Sequence, residues 1–310
     1  MRKFTTLIVV IVLAISISIG IVAVSDVFSP EETPATPDSS KEYKIMSYNI
    51  RLYLPIPDSE EDDWSIRAPL VIKQIEEESP DLLGVQEVIS VQRDYLISEL
   101  GDTYGYYFVG REDGKSSAGL NGLLNGEMLG ILYKKDIFEV VETSFIWLSE
   151  TPNEPSLGWD AAHKRICITT KLYDKIHKNY VYFSCTHLDN KGVLARKNSS
   201  KMVADTIATQ GETCPAIIVG DFNYSYDSPA YNIVTEKLVD VAKVAPNAII
   251  TRTYNDYSLK LVDVISGSPI DHIMTSKDSF EVLNYEIHNH LIDGAFASDH
   301  FAITARVKVK

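Results

Sequence analysis

Of 310 residues, 45% are hydrophobic and 23% charged, a balance that fits a globular chain and excludes a disordered or fibrous one. The net charge of −14 (29 Lys and Arg against 43 Asp and Glu) excludes a generally basic nucleic-acid-binding surface; phosphates are repelled unless a local basic patch or a metal intervenes. Three cysteines, Cys167, Cys185 and Cys214, match no zinc spacing, and their odd number excludes a full disulfide framework while leaving room for one bridge.

The chain opens with Arg2 and Lys3, followed by an uncharged apolar run from Leu7 to Val24, 18 residues long. This reads either as an uncleaved membrane anchor or as a signal peptide cut near the small residues Ala23 and Ser25. Basic residues ahead of the run direct the rest of the chain to export in both cases. Residues 1–25 are therefore a targeting segment. Residues 26–41, rich in Pro, Ser, Thr and acid, are a flexible tether. Residues 42–310 form the expected domain, extracytoplasmic, secreted or membrane-anchored, and monomeric.

"YKIMSYNIRLY" alternates and predicts a strand ending at Asn49. "DSEEDD", Asp58–Asp63, reads as a solvated loop. A helix comes next over Trp64–Glu78, with Ile66, Leu70 and Ile75 on one face and Pro80 stopping it. "DLLGVQEV" is a short buried strand that delivers Glu87, and Val91–Leu100 is a second amphipathic helix. Gly119–Gly130 is a mildly apolar stretch, weighed as a membrane-contacting loop. "EMLGILYKK" and "FEVVETSFIWLS" are strands on either side of a turn at Lys135 and Asp136. "RICITTKLYD" and "NYVYFSCTHLDN" form a hairpin across Lys175–Lys178, with Cys167 and Cys185 as small buried hydrophobes inside it. A third helix spans Leu194–Gln210 and leads to the strand "PAIIVGDFN". Ser228 and Pro229 supply a cap and first-turn proline for a short helix through Leu238. "PIDHIMTS", "FEVLNYEIH" and "FAITARVKV" are the last strands. Hairpin-rich strands interleaved with helices imply mixed sheets with helices packed outside.

Polar residues gather at strand ends: Asn49, Glu87, His187 and Asp189, Asp221 and Asn223, Asp271, Asp299 and His300. Residues two apart on an extended chain share a face, so His187 and Asp189 point one way, as do Asp221 and Asn223. Singly, each has a structural role open to it. Asn49 can cap a turn, Glu87 can pair with Arg67, His187 can be a satisfied core histidine, and "GDFN" can be an Asx turn. Together they supply carboxylates, carboxamides and imidazoles without a Ser or Cys nucleophile signature. Hard oxygen donors of this kind favour magnesium or manganese over zinc.

The ordered set "SYNIR", "GVQEV", "CTHLDN", "GDFNYS", "PIDH" and "ASDHFAI" resembles the endonuclease/exonuclease/phosphatase superfamily, from about Tyr43 to Val309. A closer likeness is to a bacterial and archaeal branch carrying "GRDDG" and "FWLSETP…GWDAA…RI", echoed here by "GREDG" (Gly110–Gly114), by Gly126-Glu127 and by Ile146–Ile166. Two places depart from that branch. His163-Lys164 stands where an apolar residue and proline are expected, and "TYNDY" (Thr253–Tyr257) replaces an aromatic-His/Asn-Gly turn; both bear on substrate choice.

The resemblance implies a deoxyribonuclease I-like α/β fold, a four-layer αββα sandwich of two packed mixed sheets flanked by helices. It implies a divalent-metal-dependent phosphoesterase, using Mg2+ or Mn2+, that hydrolyses a phosphodiester by attack of water. A phosphomonoester or a lipid phosphodiester is the alternative, and a non-catalytic binding module is the different-class reading. Glu87, Asn49 and Asp299 are the implied metal residues. Asp221 would orient or deprotonate water, Asn223 and His187 would contact phosphoryl oxygens, and Asp271 would pair with His300. Arg165 is a candidate substrate clamp; its structural alternative is a partner for Asp160. Asp189 could equally be structural. The implied partner is a phosphoester, with nucleic acid open and the membrane reached only through the N-terminal segment.

Overall fold

Side chains alternate along each strand and sort the apolar residues into layers. In β1 (Glu42–Asn49), Ile45 joins the core between two sheets, while its neighbour Met46 packs with Val71 and Ile75 of α1 (Trp64–Glu78). In β8 (Ala216–Asp221), Ile217 and Val219 join the inter-sheet core, and Ile218 turns to Val203 and Ile207 of α3 (Val193–Gly211). Three apolar layers, one between the sheets and one under each set of helices, give the four-layer sandwich. The computed structural model describes residues 41–57, 59–115, 126–258 and 267–310. The apolar run Leu7–Val24, the tether up to residue 40, Asp58 and the greater part of Gly119–Gly130 lie outside the described residues. Among the described residues no helix is long and apolar enough to cross a membrane.

The first sheet adds β2 (Leu82–Val88), β3 (Tyr104–Gly110), β4 (Met128–Lys134), β11 (Phe280–Ile287) and β12 (Ile303–Val309), in the order β11-β12-β1-β2-β4-β3. The second contains β5 (Phe138–Trp147), β6 (Ile166–Asp174), β7 (Asn179–His187), β9 (Leu238–Asp240) and β10 (Asp271–Ser276), in the order β5-β6-β7-β8-β10-β9. Each sheet has one parallel pair near its centre: β1 with β2, joined through α1, and β7 with β8, joined through α3. The remaining pairs are antiparallel. Among the described residues the further α-helices are α2 (Ser90–Leu100), α4 (Pro229–Thr235) and α5 (Val241–Val244), and a short 3-10 turn, Glu60–Asp62, precedes α1.

Several local expectations change on contact with tertiary structure. The buried apolar face of α1 is Trp64, Ala68, Leu70, Val71, Ile72 and Ile75, so Leu70 and Ile75 point inward as expected, whereas Ile66 is 48% exposed. The acidic run before α1 is not all solvated: Asp62 is buried and faces Arg51, Arg67 and Tyr257. Helix α4 keeps its Ser228 cap but stops at Thr235, and Leu238 opens a strand instead. Cys167, Cys185 and Cys214 are all free, the first two buried. The sheets approach closely at Gly84, where an added Cβ would lie 2.3 Å from Val219 Cγ2 and 3.1 Å from Cys185 Sγ.

Candidate active site

The parallel pairs converge at their C-terminal ends. Register places Asn49 beside Gln86, with Glu87 next along, and His187 beside Asp221. Antiparallel β10 sets Asp271 opposite Asp221. The loop before β12 brings Asp299 and His300, tied by the Asn255 N–H to Asp299 O (2.7 Å) and the Phe301 N–H to Thr253 O (2.7 Å).

Two of these side chains are aimed by unusual backbone. The β2–β4 register slips between Val85 and Val88, and Glu87 within the slip has φ 60°. Asn223 has φ 51°. Left-handed backbone at non-glycine residues is sparsely populated and concentrates where a side chain must be presented. Gly220 has a different purpose: an added Cβ there would lie 2.1 Å from Thr186 O, so only glycine lets β8 run this close to β7 before Asp221.

Asp221 is the hub. Its Oδ1 accepts the Asn223 backbone N–H (2.8 Å) and its Oδ2 accepts the Asn49 amide (3.2 Å). The same Oδ2 lies 3.4 Å from His187 Nε2 and 3.8 Å from His300 Nε2. His300 Nδ1 meets Asp271 Oδ2 at 2.8 Å. The Asn49 amide also donates to Glu87 Oε1 (3.0 Å), and its oxygen accepts the Arg51 N–H (3.0 Å). Asn223 commits one amide proton to Leu188 O (3.0 Å). A cleft of ≈ 410 Å³ is lined by these groups, except Asn49 and Asp271, and by Arg51, Arg111, Glu127, His163, Arg165, Asn190 and Tyr254.

Burial opposes charge on His300, but Asp271, Asp221 and Asp299 together raise its pKa well above the usual imidazole range, so it stands as an imidazolium. Burial and then Asp271 raise Asp221, with His187, His300 and the Asn223 N–H pulling the other way. Burial and Glu87 push Asp299 up to about 6, against His300, Arg51 and Arg67. Glu127 shows the reverse. Burial would raise it, but the charge of Arg111, the neighbouring His187 ring and the charge of Arg165 hold it well below the carboxylate range.

The residues fit a divalent cation. Glu87, His187 and Asp221 each offer a ligand atom within 4.8 Å of the others. Asp271 Oδ1 is buried without a hydrogen-bond partner, and Glu87 raises the Asp299 carboxyl. Crowded oxygen donors of one sign are the setting in which a hard cation lowers the energy of the site.

The sequence-predicted residues Asn49, Glu87, Arg165, His187, Asp221, Asn223, Asp271, Asp299 and His300 thus meet at one end of the two sheets. Asp189 has a different surrounding. Its oxygens accept four backbone N–H groups, from Ala162, His163, Lys191 and Gly192, which pins two loops together. Arg165 does not pair with Asp160, because Asp160 accepts the Leu194 and Ala195 N–H groups at the start of α3. Glu87 does not pair with Arg67, whose guanidinium donates to Asp62, Ile50, Arg51 and Ala297 carbonyls. Arg51, Arg111 and Glu127 were missed as cleft residues, whereas Tyr254 belongs to "TYNDY", a stretch expected to face the substrate. Each of the three lies inside or beside a stretch that carried a signal: "SYNIR", "GREDG" and Gly126-Glu127. His163, flagged as a departure, lines the cleft, while Lys164 turns to Glu112 Oε2 at 3.0 Å.

Comparison with known proteins agrees with this architecture. A solved endonuclease/exonuclease/phosphatase family protein from Bacteroides thetaiotaomicron is 29% identical with a TM-score of 0.78, the match covering 87% of this chain and 98% of that one. A structure described as the mannosyl-6-phosphatase Bt3783 of Bacteroides thetaiotaomicron VPI-5482 is 29% identical with a TM-score of 0.74, covering 86% of this chain and all but a few residues of the other (99%). Among curated sequences, the protein R895 of Acanthamoeba polyphaga mimivirus is 24% identical over 240 residues, 68% of this chain and only 34% of its own length. The sequence model of the Endonuclease/Exonuclease/phosphatase family matches residues 46–300, and the chain therefore belongs to that family of phosphoester hydrolases.

Proposed function

We propose that the chain is an exported or membrane-anchored, divalent-metal-dependent phosphoesterase that uses water as nucleophile. The observation that carries the reading is Asp221, buried, held by two amides and facing two imidazoles within 3.8 Å. A carboxylate with a raised pKa, fixed by hydrogen bonds, suits removal of a proton from water. His300, kept cationic by Asp271, sets positive charge where negative charge develops on phosphoryl oxygens. His187 and the second amide proton of Asn223 contact those oxygens. Glu87, with Asp299 and Asn49, would hold Mg2+ or Mn2+. When bound, the metal supplies a Lewis acid that neutralises phosphoryl charge. Asn49 aligns Glu87 and Asp221 through its two donated hydrogen bonds.

Of the ester classes, a phosphomonoester on a small alcohol is favoured over the phosphodiester placed first by sequence. The 29% identity to a mannosyl-6-phosphatase supports it, as does a cleft of ≈ 410 Å³, a volume suited to a small molecule. The diester reading keeps one supporting observation: a neighbouring depression shares Arg51, Tyr254 and Asp299 with the cleft and could take a second ester chain.

The test is magnesium-dependent release of phosphate or alcohol from a panel of sugar phosphates, bis-p-nitrophenyl phosphate, DNA, RNA and sphingomyelin. Turnover that disappears with chelator and in His300→Ala supports the reading. No turnover of any ester, with magnesium or manganese present, defeats it. Export is tested separately by fusing the first 45 or so residues to a reporter that is active only outside the cytoplasm.

A further inference from the structure

Arg165 is a costly residue for a protein to bury. Its side chain is 5% exposed, yet Nε and Nη1 have no hydrogen-bond partner. Asp189 Oδ2 lies 3.6 Å from its Nε, but that carboxylate is already engaged by four backbone N–H groups. Arg111 Nε and His187 Nδ1 are likewise buried without hydrogen-bond partners. All three residues line the cleft, and one carboxylate oxygen stands among them. Glu127 Oε1 is 2.6 Å from Arg111 Nη1, 3.6 Å from Arg165 Nη1 and 3.5 Å from His187 Nδ1. A purely structural ion-pair cluster would satisfy its donors, because each unmet buried donor costs stability. Two guanidiniums that line one cleft, with donor capacity their carboxylate neighbours leave unused, suit an anion with several terminal oxygens.

Ester chemistry says which anion. A phosphodiester has two terminal oxygens and one charge, whereas a phosphomonoester has three and carries a second charge near neutral pH. The amides and imidazoles around Asp221 can serve two terminal oxygens. A third would require donors of its own. In a diester that position carries an uncharged ester chain, which would give the arginines no further acceptor and meet them sterically.

We infer that Arg111 and Arg165, held in place by Glu127, form the subsite for the third terminal oxygen of a phosphomonoester dianion and so select monoesters over diesters. Arg111 and Arg165 bind substrate; Glu127 is a positioning residue that fixes both guanidiniums and His187. The inference rests on the phosphoesterase reading above and names its substrate class.

The experiment compares the 310-residue chain with Arg111→Lys, Arg165→Lys and Glu127→Gln. Lysine keeps the charge and removes the fork, so misfolding is not built into the test, and thermal unfolding monitors it. Three quantities are read: kcat/KM for p-nitrophenyl phosphate, kcat/KM for bis-p-nitrophenyl phosphate, and inhibition by inorganic phosphate. The monoester-to-diester ratio should fall by about tenfold or more in each arginine variant, with phosphate inhibition weakened by a similar factor. Glu127→Gln should weaken phosphate inhibition and raise KM for the monoester more than it lowers kcat, a split that loss of structure alone does not give. An unchanged ratio in folded variants of an active enzyme overturns the subsite while leaving the phosphoesterase reading intact. Should the wild type turn over neither ester, that reading fails, and calorimetric titration with phosphate decides the subsite alone. Equal binding by wild type and Arg165→Lys would overturn it; loss of binding in the variant would uphold it.

Discussion

In the first sheet, parallel β1 and β2 end in Asn49 and Glu87; in the second, parallel β7 and β8 end in His187 and Asp221. Both pairs are joined by a helix, and both present an acid beside a neutral or basic hydrogen-bonding group. Their surroundings differ. Glu87 faces a second carboxyl, Asp299, whose pKa its charge helps to raise, and the cation there is Arg51, 3.8 Å from Asp299. Asp221 faces two imidazoles, one of them held charged by Asp271. One topological device therefore yields two kinds of chemistry: a carboxylate-rich end suited to a hard cation, and an acid–imidazole end suited to moving protons. Asn49 joins them by donating to both acids.

This division can be broken by experiment. Asp221→Asn should lower kcat by about 10²–10⁴-fold, with no recovery at high magnesium. Glu87→Gln should raise the magnesium needed for half-maximal turnover by about tenfold or more, and excess metal should restore part of the rate. If metal rescues Asp221→Asn and not Glu87→Gln, the two ends have been assigned the wrong way round. A smaller effect is expected from Gly220→Ala. The new methyl meets Thr186 O, so the β7–β8 pair must separate at a cost of about 1–3 kcal/mol, read as a lowered unfolding midpoint. The smallest concerns Asp189, which supports the second pair from behind. Four backbone N–H groups outweigh its burial and hold its pKa at about 2, below the unfolded value of 3.8. A depressed carboxylate stabilises the fold above the unfolded pKa and loses that contribution as pH falls through the folded one. The stability gap between wild type and Asp189→Asn, measured by denaturant unfolding, should therefore be full near pH 6 and close toward about pH 2.

The strand ends were legible because buried strands read as apolar runs and the acids and amides interrupt them at their C-terminal limits. "AIIVGD" is such a run, and Gly220 marks the close approach beside it. Strand β3 was missed. Gly101-Asp102 gives a turn signal ahead of it, but "YGYYFVG" does not alternate cleanly, and its place is set by pairing with β4. Asp62 looked solvated because its neighbours are acids; its partners, Arg67 and Tyr257, are 5 and 195 residues away. Glu127 illustrates the same limit. Its motif was visible in the sequence, but its purpose depends on Arg111 and Arg165, which only the folded chain sets around one oxygen atom. Pairwise chemistry between distant strands is the information that periodicity does not carry.

The cysteines described with the fold bear on the compartment proposed for this domain. An exported protein with unpaired thiols is exposed to oxidants and to mixed-disulfide exchange, and both reactions proceed through the thiolate. Burial pushes the Cys167 thiol up to about 12 and the Cys185 thiol higher still. Cys185 is wedged against Gly84, between the sheets, where no reagent reaches it without separating them. Two of the three sulfurs are therefore chemically silent as long as the sandwich stays closed. Their labelling by a maleimide would serve as a clock for its opening, with partly buried Cys214 as the internal reference that reacts first.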